Sequence, residues 1–314
     1  MGKALVDAFP DARAVFDEAD AAFAAAGSHG TGTTVGADLQ VGSSLSGLCF
    51  AGPEDQLMLT EHTQPAILTM SVAAARVLAA HGVAPAVVAG HSLGEYSANV
   101  VAGTFGFGDA VGTVRRRGRY MQEAVPVGTG AMAAVLGLDE AGVRRACEEA
   151  SGGEVVSPAN INSTDQIVIA GAAAAVQRAS ERAKALGAKR VVALPVSAPF
   201  HCALMKPAEE RLEPELRALS IRDPRVPIVA NVDAEPRTAG AAAIDALVKQ
   251  VSAPVLWAAV VKRLASMGVT TYVEVGPGKV LGGLVKKIHK GARVFSFSEP
   301  ADLDSLLRDV RSVG

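Results

Sequence analysis

A glycine–X–serine–X–glycine motif is the stretch of this sequence whose residue types and spacing could carry out chemistry. Residues 90–94 read Gly-His-Ser-Leu-Gly, after a short apolar run (residues 85–89) and before a segment typical of a helix (residues 95–101). A strand, a tight glycine turn and a helix form a nucleophile elbow, in which the hydroxyl of Ser92 stands clear of the backbone. The pattern predicts acyl chemistry at Ser92, although a chain with 32 glycines also produces such spacing in ordinary turns.

A serine nucleophile needs a base, and His201 fits this role best. It lies in a proline-containing loop (residues 197–202) directly after a segment that we predict to be a small inserted unit. Sites commonly form in such clefts between domains. His91 lies within the elbow, where its side chain would point away from Ser92. No Asp or Glu is an evident third triad member, so we expect a backbone or amide oxygen to orient the imidazole. The alternative for His201 is a solvent-facing loop histidine.

Arg117 is the candidate for substrate binding, since it follows the elbow by one predicted helix. The planar guanidinium holds a carboxylate through two parallel hydrogen bonds. Such an arginine beside a serine nucleophile would select an acyl group with a free carboxylate. Arg115, Arg116 and Arg119 flank it, and a solvated helix face explains this cluster equally well.

Composition excludes several classes of protein. The chain has 314 residues, of which 49% are hydrophobic and 20% charged, enough for a large domain with or without a small one. A net charge of −2 offers no basic field for nucleic acid. Cys49, Cys147 and Cys202 have no metal-binding spacing and cannot all pair, so we expect a reduced cytoplasmic protein without a metal. We expect no membrane association, because no apolar run is long enough to span a bilayer and no signal-peptide pattern is present.

The order of the predicted elements indicates an α/β protein with one insertion. Predicted elements at residues 131–136, 139–150, 155–160, 166–170, 173–186 and 190–196 follow the order β-α-β-β-α-β of a ferredoxin-like unit. On both sides of it strands alternate with helices, which favours a mostly parallel sheet. We therefore predict a large domain over residues 1–125 and 198–314, and a small domain over residues 126–197.

Residues typical of helix ends, together with the periodicity of apolar residues, give the predicted bounds of helices and strands in the large domain. Asp11 is expected to cap the first helix and Pro65 to lie in the first turn of another. Pro207 and Pro214 should kink or interrupt the helix that contains them, and residues 28–36 read as a loop without visible chemistry. The predicted helices are residues 11–26, 64–81, 95–101, 109–124, 203–219, 241–251, 258–267 and 279–289, and the predicted strands are residues 85–89, 226–231, 271–275 and 294–297.

Stretches spread over almost the whole chain resemble the malonyl-CoA:acyl-carrier-protein transacylase family. They are residues 63–66 (TQPA), 90–98 (GHSLGEYSA), 117–118 (RG), 121–124 (MQEA), 130–135 (GAMAAV), 160–163 (NINS), 199–205 (PFHCALM) and 274–278 (EVGPG). The resemblance implies an α/β-hydrolase-like large domain with a ferredoxin-like insertion. It also implies transfer of a malonyl group from malonyl-CoA to the phosphopantetheine thiol of acyl carrier protein, for fatty-acid or polyketide synthesis. A monomer without a cofactor is expected.

The resemblance also implies roles for single residues. Ser92 corresponds to the nucleophile that becomes the malonyl-serine, and His201 to its general base. The backbone carbonyl of Gln250 corresponds to the group that orients the histidine, and the N–H of Leu93 to one donor of the oxyanion hole.

Two further positions concern substrate selection. Arg117 matches the residue that binds the malonyl carboxylate. Phe200 is similar to the residue of malonyl-selective relatives, and its ring would disfavour an α-methyl group by about 1–3 kcal/mol. Gln64, Asn160 and Asn162 match family motifs too, but turn or cap roles explain them equally well.

The start of the chain departs from the family pattern. The family opens with a first strand and a Gly-Gln-Gly-Ser-Gln segment that lines the oxyanion hole, whereas residues 1–5 resemble the part of the family sequence directly after that segment. We therefore expect the first strand and the second oxyanion donor to be missing. One lost donor typically lowers the rate about a hundred- to a thousandfold, and a missing strand would leave an exposed sheet edge.

Two alternative functions use the same residues. A serine esterase or thioesterase with the same elbow would release free malonate instead of transferring it. A truncated, inactive domain would bind the carrier protein and form no acyl-serine.

Overall fold

Helices and strands alternate along most of the chain. A computed structural model describes residues 1–27, 44–196 and 198–311, so the predicted loop at residues 28–36 and Ser197 lie outside the described residues. The helices are α1 (Lys3–Ala8), α2 (Pro10–Gly27), α3 (Leu45–Ala51), α4 (Glu54–Leu57), α5 (Thr60–Ala80), α6 (Leu93–Ala102), α7 (Phe107–Glu123), α8 (Glu140–Ala150), α9 (Ala173–Ala185), α10 (Lys206–Arg217), α11 (Gly240–Gln250), α12 (Trp257–Ser266), α13 (Val280–Ile288) and α14 (Leu303–Arg311). The strands are β1 (Val88–Ala89), β2 (Gly130–Leu136), β3 (Val156–Ser163), β4 (Gln166–Ala172), β5 (Arg190–Ala193), β6 (Ile228–Val229), β7 (Pro236–Arg237), β8 (Thr271–Val275) and β9 (Arg293–Phe297).

The inserted unit is a four-stranded antiparallel sheet covered by α8 and α9. Its strand order is β3-β4-β2-β5, which is the ferredoxin-like arrangement of a β-α-β-β-α-β unit. The Asp139 carboxylate caps α8 by accepting from the N–H of Gly142, and Val143, Ala146 and Cys147 form the buried face of that helix. This face packs on inward-facing residues of the sheet such as Val135. The predicted β-α-β-β-α-β order is confirmed.

Outside the inserted unit the strands of the described residues form two sheets. In the first, β1 pairs with β6 in parallel and β6 pairs with β7 antiparallel; in the second, β8 and β9 are parallel. Helices follow β1, β8 and β9, as expected for parallel strands joined by crossovers. The α/β class is confirmed, and the strands around the serine motif are shorter than the sequence predicts.

The main core lies among the helices that precede and follow the serine motif. Phe16 of α2, Leu68 of α5, Tyr96 of α6 and Val111 of α7 are all nearly inaccessible to solvent and belong to one apolar cluster. Burial of such side chains contributes about 1.5–3 kcal/mol each. These helices hold the start of α6 in place. Within the described ranges no helix is both long and apolar enough to cross a membrane.

Two predicted helix starts are wrong. Helix α2 begins at Pro10, so Asp11 lies in its first turn and does not cap it. Helix α5 begins at Thr60, which places Pro65 inside the helix. The extra turn is fastened from the side, because the Thr63 hydroxyl donates to the carbonyl of Leu57 at 2.5 Å. A hydrogen bond to the turn just before the helix therefore outweighs the preference of proline for a first turn.

Other differences concern short or irregular elements. The predicted helix over residues 203–219 begins as a 3₁₀ turn (Ala203–Met205) and continues as α10, with Pro207 at its second position and Pro214 inside. The sequence analysis missed α1, α3, α4, α14 and β7. None of these elements is longer than the 9 residues of α14, which is too short for periodicity to be read.

The inserted unit is hydrogen-bonded to the rest of the chain beside the serine motif. The N–H of Ile161 donates to the carbonyl of Val255, and the N–H of Val255 donates to the carbonyl of Ala159, both at 2.9 Å. Lys287 of α13 also pairs with Asp165, in the turn between β3 and β4. These contacts place β3 next to the elbow.

Candidate active site

Ser92 occupies a strained turn between β1 and α6. Its backbone angles are φ 51° and ψ −108°, a region that residues with a side chain seldom adopt. Strain of this kind costs about 1–3 kcal/mol and is typical of functional positions. The turn closes so tightly that a Cβ on Gly90 would lie 2.0 Å from the carbonyl carbon of Gly94. The hydroxyl of Ser92 is thereby held away from the helix that follows.

Asn231, which lies just after β6, holds this turn in place through two hydrogen bonds. Its side-chain oxygen accepts from the N–H of Ser92 at 2.7 Å, and its side-chain nitrogen donates to the carbonyl of Gly90 at 2.7 Å. The N–H of Leu93, the first residue of α6, has no hydrogen-bond partner within the described part of the chain. It is therefore available to an oxyanion.

His201 contacts Ser92 directly. Its Nε2 atom lies 2.7 Å from Ser92 Oγ, and its Nδ1 atom lies 2.9 Å from the backbone carbonyl oxygen of Gln250. Since a carbonyl oxygen only accepts, Nδ1 carries the proton and Nε2 accepts from the serine hydroxyl. Burial, together with the positive charge of Arg117, lowers the pKa of His201 to about 3. The imidazole is thus neutral, and its unprotonated Nε2 atom faces the serine hydroxyl.

Arg117 points from α7 into the site, where only 2% of it is exposed. Its guanidinium donates to Gln64 Oε1 at 2.7 Å, to Gln250 Oε1 at 2.9 Å and to Ser92 Oγ at 3.2 Å. Arg116 pairs instead with Glu215 in a partly exposed contact. The solvated-face alternative for Arg117 is therefore wrong, because its side chain lies on the buried side of α7.

The side chain of Gln250 connects three parts of the site. Besides accepting from Arg117, it donates through Nε2 to the backbone carbonyl of Ser92 at 2.9 Å and to Glu95 Oε2 at 2.7 Å. Glu95 is 1% exposed and also accepts from the N–H of Asn231 at 3.1 Å. Burial raises the pKa of Glu95 to about 7, against the opposing effects of these hydrogen bonds and of the Arg117 charge.

The remaining predicted residues surround this centre. Phe200 is half-buried directly before His201 and packs against two apolar clusters. His91 faces Asn162 of β3, with its Nε2 atom 2.9 Å from Asn162 Oδ1, and therefore points away from Ser92. Burial lowers the pKa of His91. Gln64 and Asn162 lie inside a helix and a strand, so turn or cap roles do not explain them.

Sequence reasoning missed two residues, Asn231 and Glu95. The first closes a predicted strand at its carboxyl end, which is where ligand sites form in parallel sheets, and this signal could have identified it. The second is an acidic residue in a helix that otherwise presents Tyr96 and Ala98 to the core. A carboxylate at such a position is rarely buried without a function or a partner.

Comparison with known protein families matches residues 1–297 to the acyl transferase domain model. The chain is 52% identical over 272 residues to the malonyl CoA-acyl carrier protein transacylase of Escherichia coli, covering 86% of this chain and 88% of that protein. It is 42% identical over 312 residues to the protein of the same name from Bacillus subtilis, covering 99% and 93%.

Solved structures give the same result. An acyl carrier protein S-malonyltransferase from Vibrio cholerae superimposes with a TM-score of 0.89 at 42% identity, covering 98% of this chain and 94% of that one. A malonyl-transacylase solved in complex with its type II PKS acyl-carrier protein superimposes with a TM-score of 0.90 at 42% identity, with the same coverage.

Proposed function

This chain belongs to the acyl transferase domain family, and from that premise we propose a ping-pong reaction in which Ser92 is the nucleophile and His201 its base. The enzyme transfers the malonyl group from malonyl-CoA to acyl carrier protein and so supplies extender units for fatty-acid or polyketide synthesis. One observation supports the assignment of residues: Ser92 Oγ lies 2.7 Å from a neutral imidazole and 3.2 Å from a buried guanidinium. A base and a carboxylate receptor thus meet at one hydroxyl.

In the first half-reaction Ser92 Oγ attacks the thioester carbonyl carbon of malonyl-CoA while its proton moves to Nε2 of His201. The carbonyl oxygen becomes an oxyanion, and the N–H of Leu93 at the start of α6 donates to it. The carbon–sulfur bond then breaks, and Nε2 returns the proton to the departing CoA sulfur. The product is a malonyl ester of Ser92.

In the second half-reaction the phosphopantetheine thiol of acyl carrier protein takes the place of CoA. Nε2 accepts the thiol proton, the sulfur attacks the ester carbonyl, and Ser92 leaves with the proton from His201. The carbonyl of Gln250 holds the imidazole in the same tautomer throughout. These steps use only side chains and backbone of this chain, with CoA thioester as substrate and no further cofactor.

Arg117 binds the free carboxylate of the malonyl group. In the described structure its donors face the neutral oxygens of Gln64, Gln250 and Ser92, which a carboxylate can join or replace. A buried guanidinium gains most from an anion, since water does not screen the pair. Phe200, beside His201, would crowd an α-methyl group on that acyl chain.

The two predicted domains of the chain assist this reaction in different ways. We assign residues 1–125 and 198–314 to a catalytic domain and residues 126–197 to a small domain that covers the elbow through β3. The hydrogen bond between His91 and Asn162 joins the two domains at the site.

We place the reaction in the cytoplasm, a reducing compartment that suits the three free, buried cysteines.

A product analysis tests the transfer. The purified chain is mixed with malonyl-CoA and with acyl carrier protein that carries phosphopantetheine, and both the carrier mass and free malonate are measured. We expect malonylated carrier protein, and none with Ser92→Ala. Release of malonate without malonylated carrier protein would assign the chain to the serine hydrolases instead.

A further inference from the structure

Arg117 is a buried cation without an ionic partner in direct contact. Each hydrogen-bond partner of its guanidinium is a neutral oxygen, and within the described ranges no carboxylate lies within 4.0 Å of it. Removing a charge from water costs several kcal/mol unless another group compensates it. In the free enzyme the guanidinium is held by these neutral oxygens and by the ring of Tyr96, whose centroid lies 5.2 Å from the guanidinium carbon.

Glu95 is a buried acid that contacts Gln250, one of the neutral partners of Arg117. It follows Ser92 by three positions in α6, and its Oε2 atom accepts from Gln250 Nε2 at 2.7 Å and from the N–H of Asn231 at 3.1 Å. Both donors are neutral. Glu95 and Arg117 are therefore a buried acid and a buried cation that the side-chain amide of Gln250 connects.

The amide of Gln250 has one orientation that satisfies both sides. Its oxygen faces the guanidinium of Arg117, which can only donate, and its nitrogen faces the Glu95 carboxylate and the Ser92 carbonyl, which only accept. A flipped amide would direct N–H groups at a guanidinium and an oxygen at a carboxylate. The amide accepts on one side and donates on the other, so the two hydrogen bonds polarise and strengthen each other.

We infer that Glu95 is a positioning residue for substrate selection, which acts through the side-chain amide of Gln250 to hold Arg117 where it binds an acyl carboxylate. The inference rests on the proposed function of Arg117. His201 is held by the backbone carbonyl of Gln250, a separate group of the same residue. Glu95 therefore affects selection between acyl groups, while the Ser92–His201 pair stays in place.

The test compares malonyl-CoA with acetyl-CoA as acyl donors, by the kcat/KM of acyl-enzyme formation. In Glu95→Leu no oxygen at position 95 can accept from the amide, and we expect the malonyl-to-acetyl ratio to fall by about tenfold or more, the effect of one hydrogen bond to a charged group. In Glu95→Gln the new Oε1 can accept both hydrogen bonds that Glu95 Oε2 accepts now. We expect that variant to keep the ratio within about threefold, a small part of a single hydrogen bond.

A second variant removes the side-chain amide of Gln250 that connects Glu95 with Arg117. Gln250→Leu keeps the backbone carbonyl that orients His201, so it should lower the same ratio without abolishing acetyl transfer. It also provides the measurement if Glu95→Leu fails to fold. In an Arg117→Ala background, neither change should alter the ratio further, because residues that act as one unit are not additive.

Two results would overturn the inference. One is an equal proportional loss of malonyl and acetyl transfer in Glu95→Leu and Gln250→Leu, which indicates a structural role only. The other is an equal fall of the ratio in Glu95→Gln and Glu95→Leu, which indicates that the charge acts and not the orientation of the amide. Failure of the proposed function gives a different result: the chain without any substitution then forms no malonyl-serine or shows no preference for malonyl over acetyl.

Discussion

The Nδ1 atom of His201 lies 2.9 Å from the backbone carbonyl oxygen of Gln250. In a serine–histidine–aspartate triad a carboxylate occupies this position, fixes the tautomer and stabilises the imidazolium. Here a neutral carbonyl fixes the tautomer without adding a negative charge beside the imidazole. Because no carboxylate raises its basicity, burial and the nearby Arg117 charge determine the pKa of His201, and both lower it.

The acyl-enzyme should form on Ser92 alone. Brief exposure to malonyl-CoA is expected to add one malonyl group to the intact mass of the unmodified chain and none to Ser92→Ala. Ser97→Ala, which alters a buried hydroxyl of the same helix, is the matched control and should still be modified. A malonyl group on Ser92→Ala would place the nucleophile elsewhere.

Arg117→Ala should change which acyl group is accepted. Loss of a buried partner for the substrate carboxylate costs about 3–5 kcal/mol, so kcat/KM for malonyl-CoA should fall a hundredfold or more. Transfer of an uncharged acetyl group should fall much less or increase. Arg119→Ala, on the same helix in a weak exposed contact with Glu123, serves as control and should keep the malonyl preference. An unchanged preference in Arg117→Ala would remove this residue from substrate selection.

Activity should persist at pH values below those of an ordinary histidine base. Since the pKa of His201 is lowered from 6.5 to about 3, the imidazole stays neutral as the pH falls through 6.5. The acid limb of kcat/KM, measured with acetyl-CoA so that the substrate carries no titrating carboxylate, should therefore lie well below 6.5. A limb centred near 6.5 would contradict the buried environment of His201.

The same lowered pKa affects stability. Between 6.5 and about 3 the unfolded chain binds a proton at this position and the native chain does not. The contribution of His201 to the free energy of unfolding is therefore fully present above pH 6.5 and decreases as the pH falls towards 3. Glu95 acts in the opposite direction, because its pKa is raised from 4.5 to about 7 and the native state holds its proton in that range. The difference in unfolding free energy between the unmodified chain and His201→Gln, followed by denaturant titration across this range, isolates the histidine.

Phe200→Ser should widen the range of acyl groups. Removing the ring beside His201 relieves the crowding of an α-methyl group, and a steric effect of this kind amounts to about 1–3 kcal/mol, or about 10- to 200-fold. We expect the methylmalonyl-to-malonyl ratio of kcat/KM to rise within that range, with malonyl transfer retained. If the ratio does not change, Phe200 does not contact the acyl chain.

The two glycines of the motif should differ in their tolerance of alanine. A Cβ at Gly90 would lie 2.0 Å from the backbone of Gly94, whereas a Cβ at Gly94 would meet nothing within 4 Å apart from its chain neighbours and the backbone of its own helix. Gly90→Ala should therefore destabilise the chain by at least about 1–3 kcal/mol and abolish acylation, since the turn must move. Gly94→Ala should fold normally and gain some helix propensity, up to about 1 kcal/mol. Thermal unfolding of both variants decides the question.

The sequence predicted those parts of the fold that depend on local patterns. The elbow around Ser92 and the β-α-β-β-α-β order of the inserted unit follow from glycine spacing and from periodicity within short windows. A predicted helix bound failed where a hydrogen bond outside the helix prevailed over the preference of a single residue. An example is α5, which runs through Pro65 from a start at Thr60.

The sequence alone determined which residue types could react, because a nucleophile, a base and a carboxylate receptor each need a particular functional group. Only the tertiary structure decided how they are joined. Asn231 meets Ser92 across 139 positions of chain and Gln250 meets Arg117 across 133, and no local pattern encodes pairings of that length. The orientation of the Gln250 amide, and with it the proposed role of Glu95, depends on which donors and acceptors surround it after folding. That environment exists only when α6, α7 and α11 are packed together.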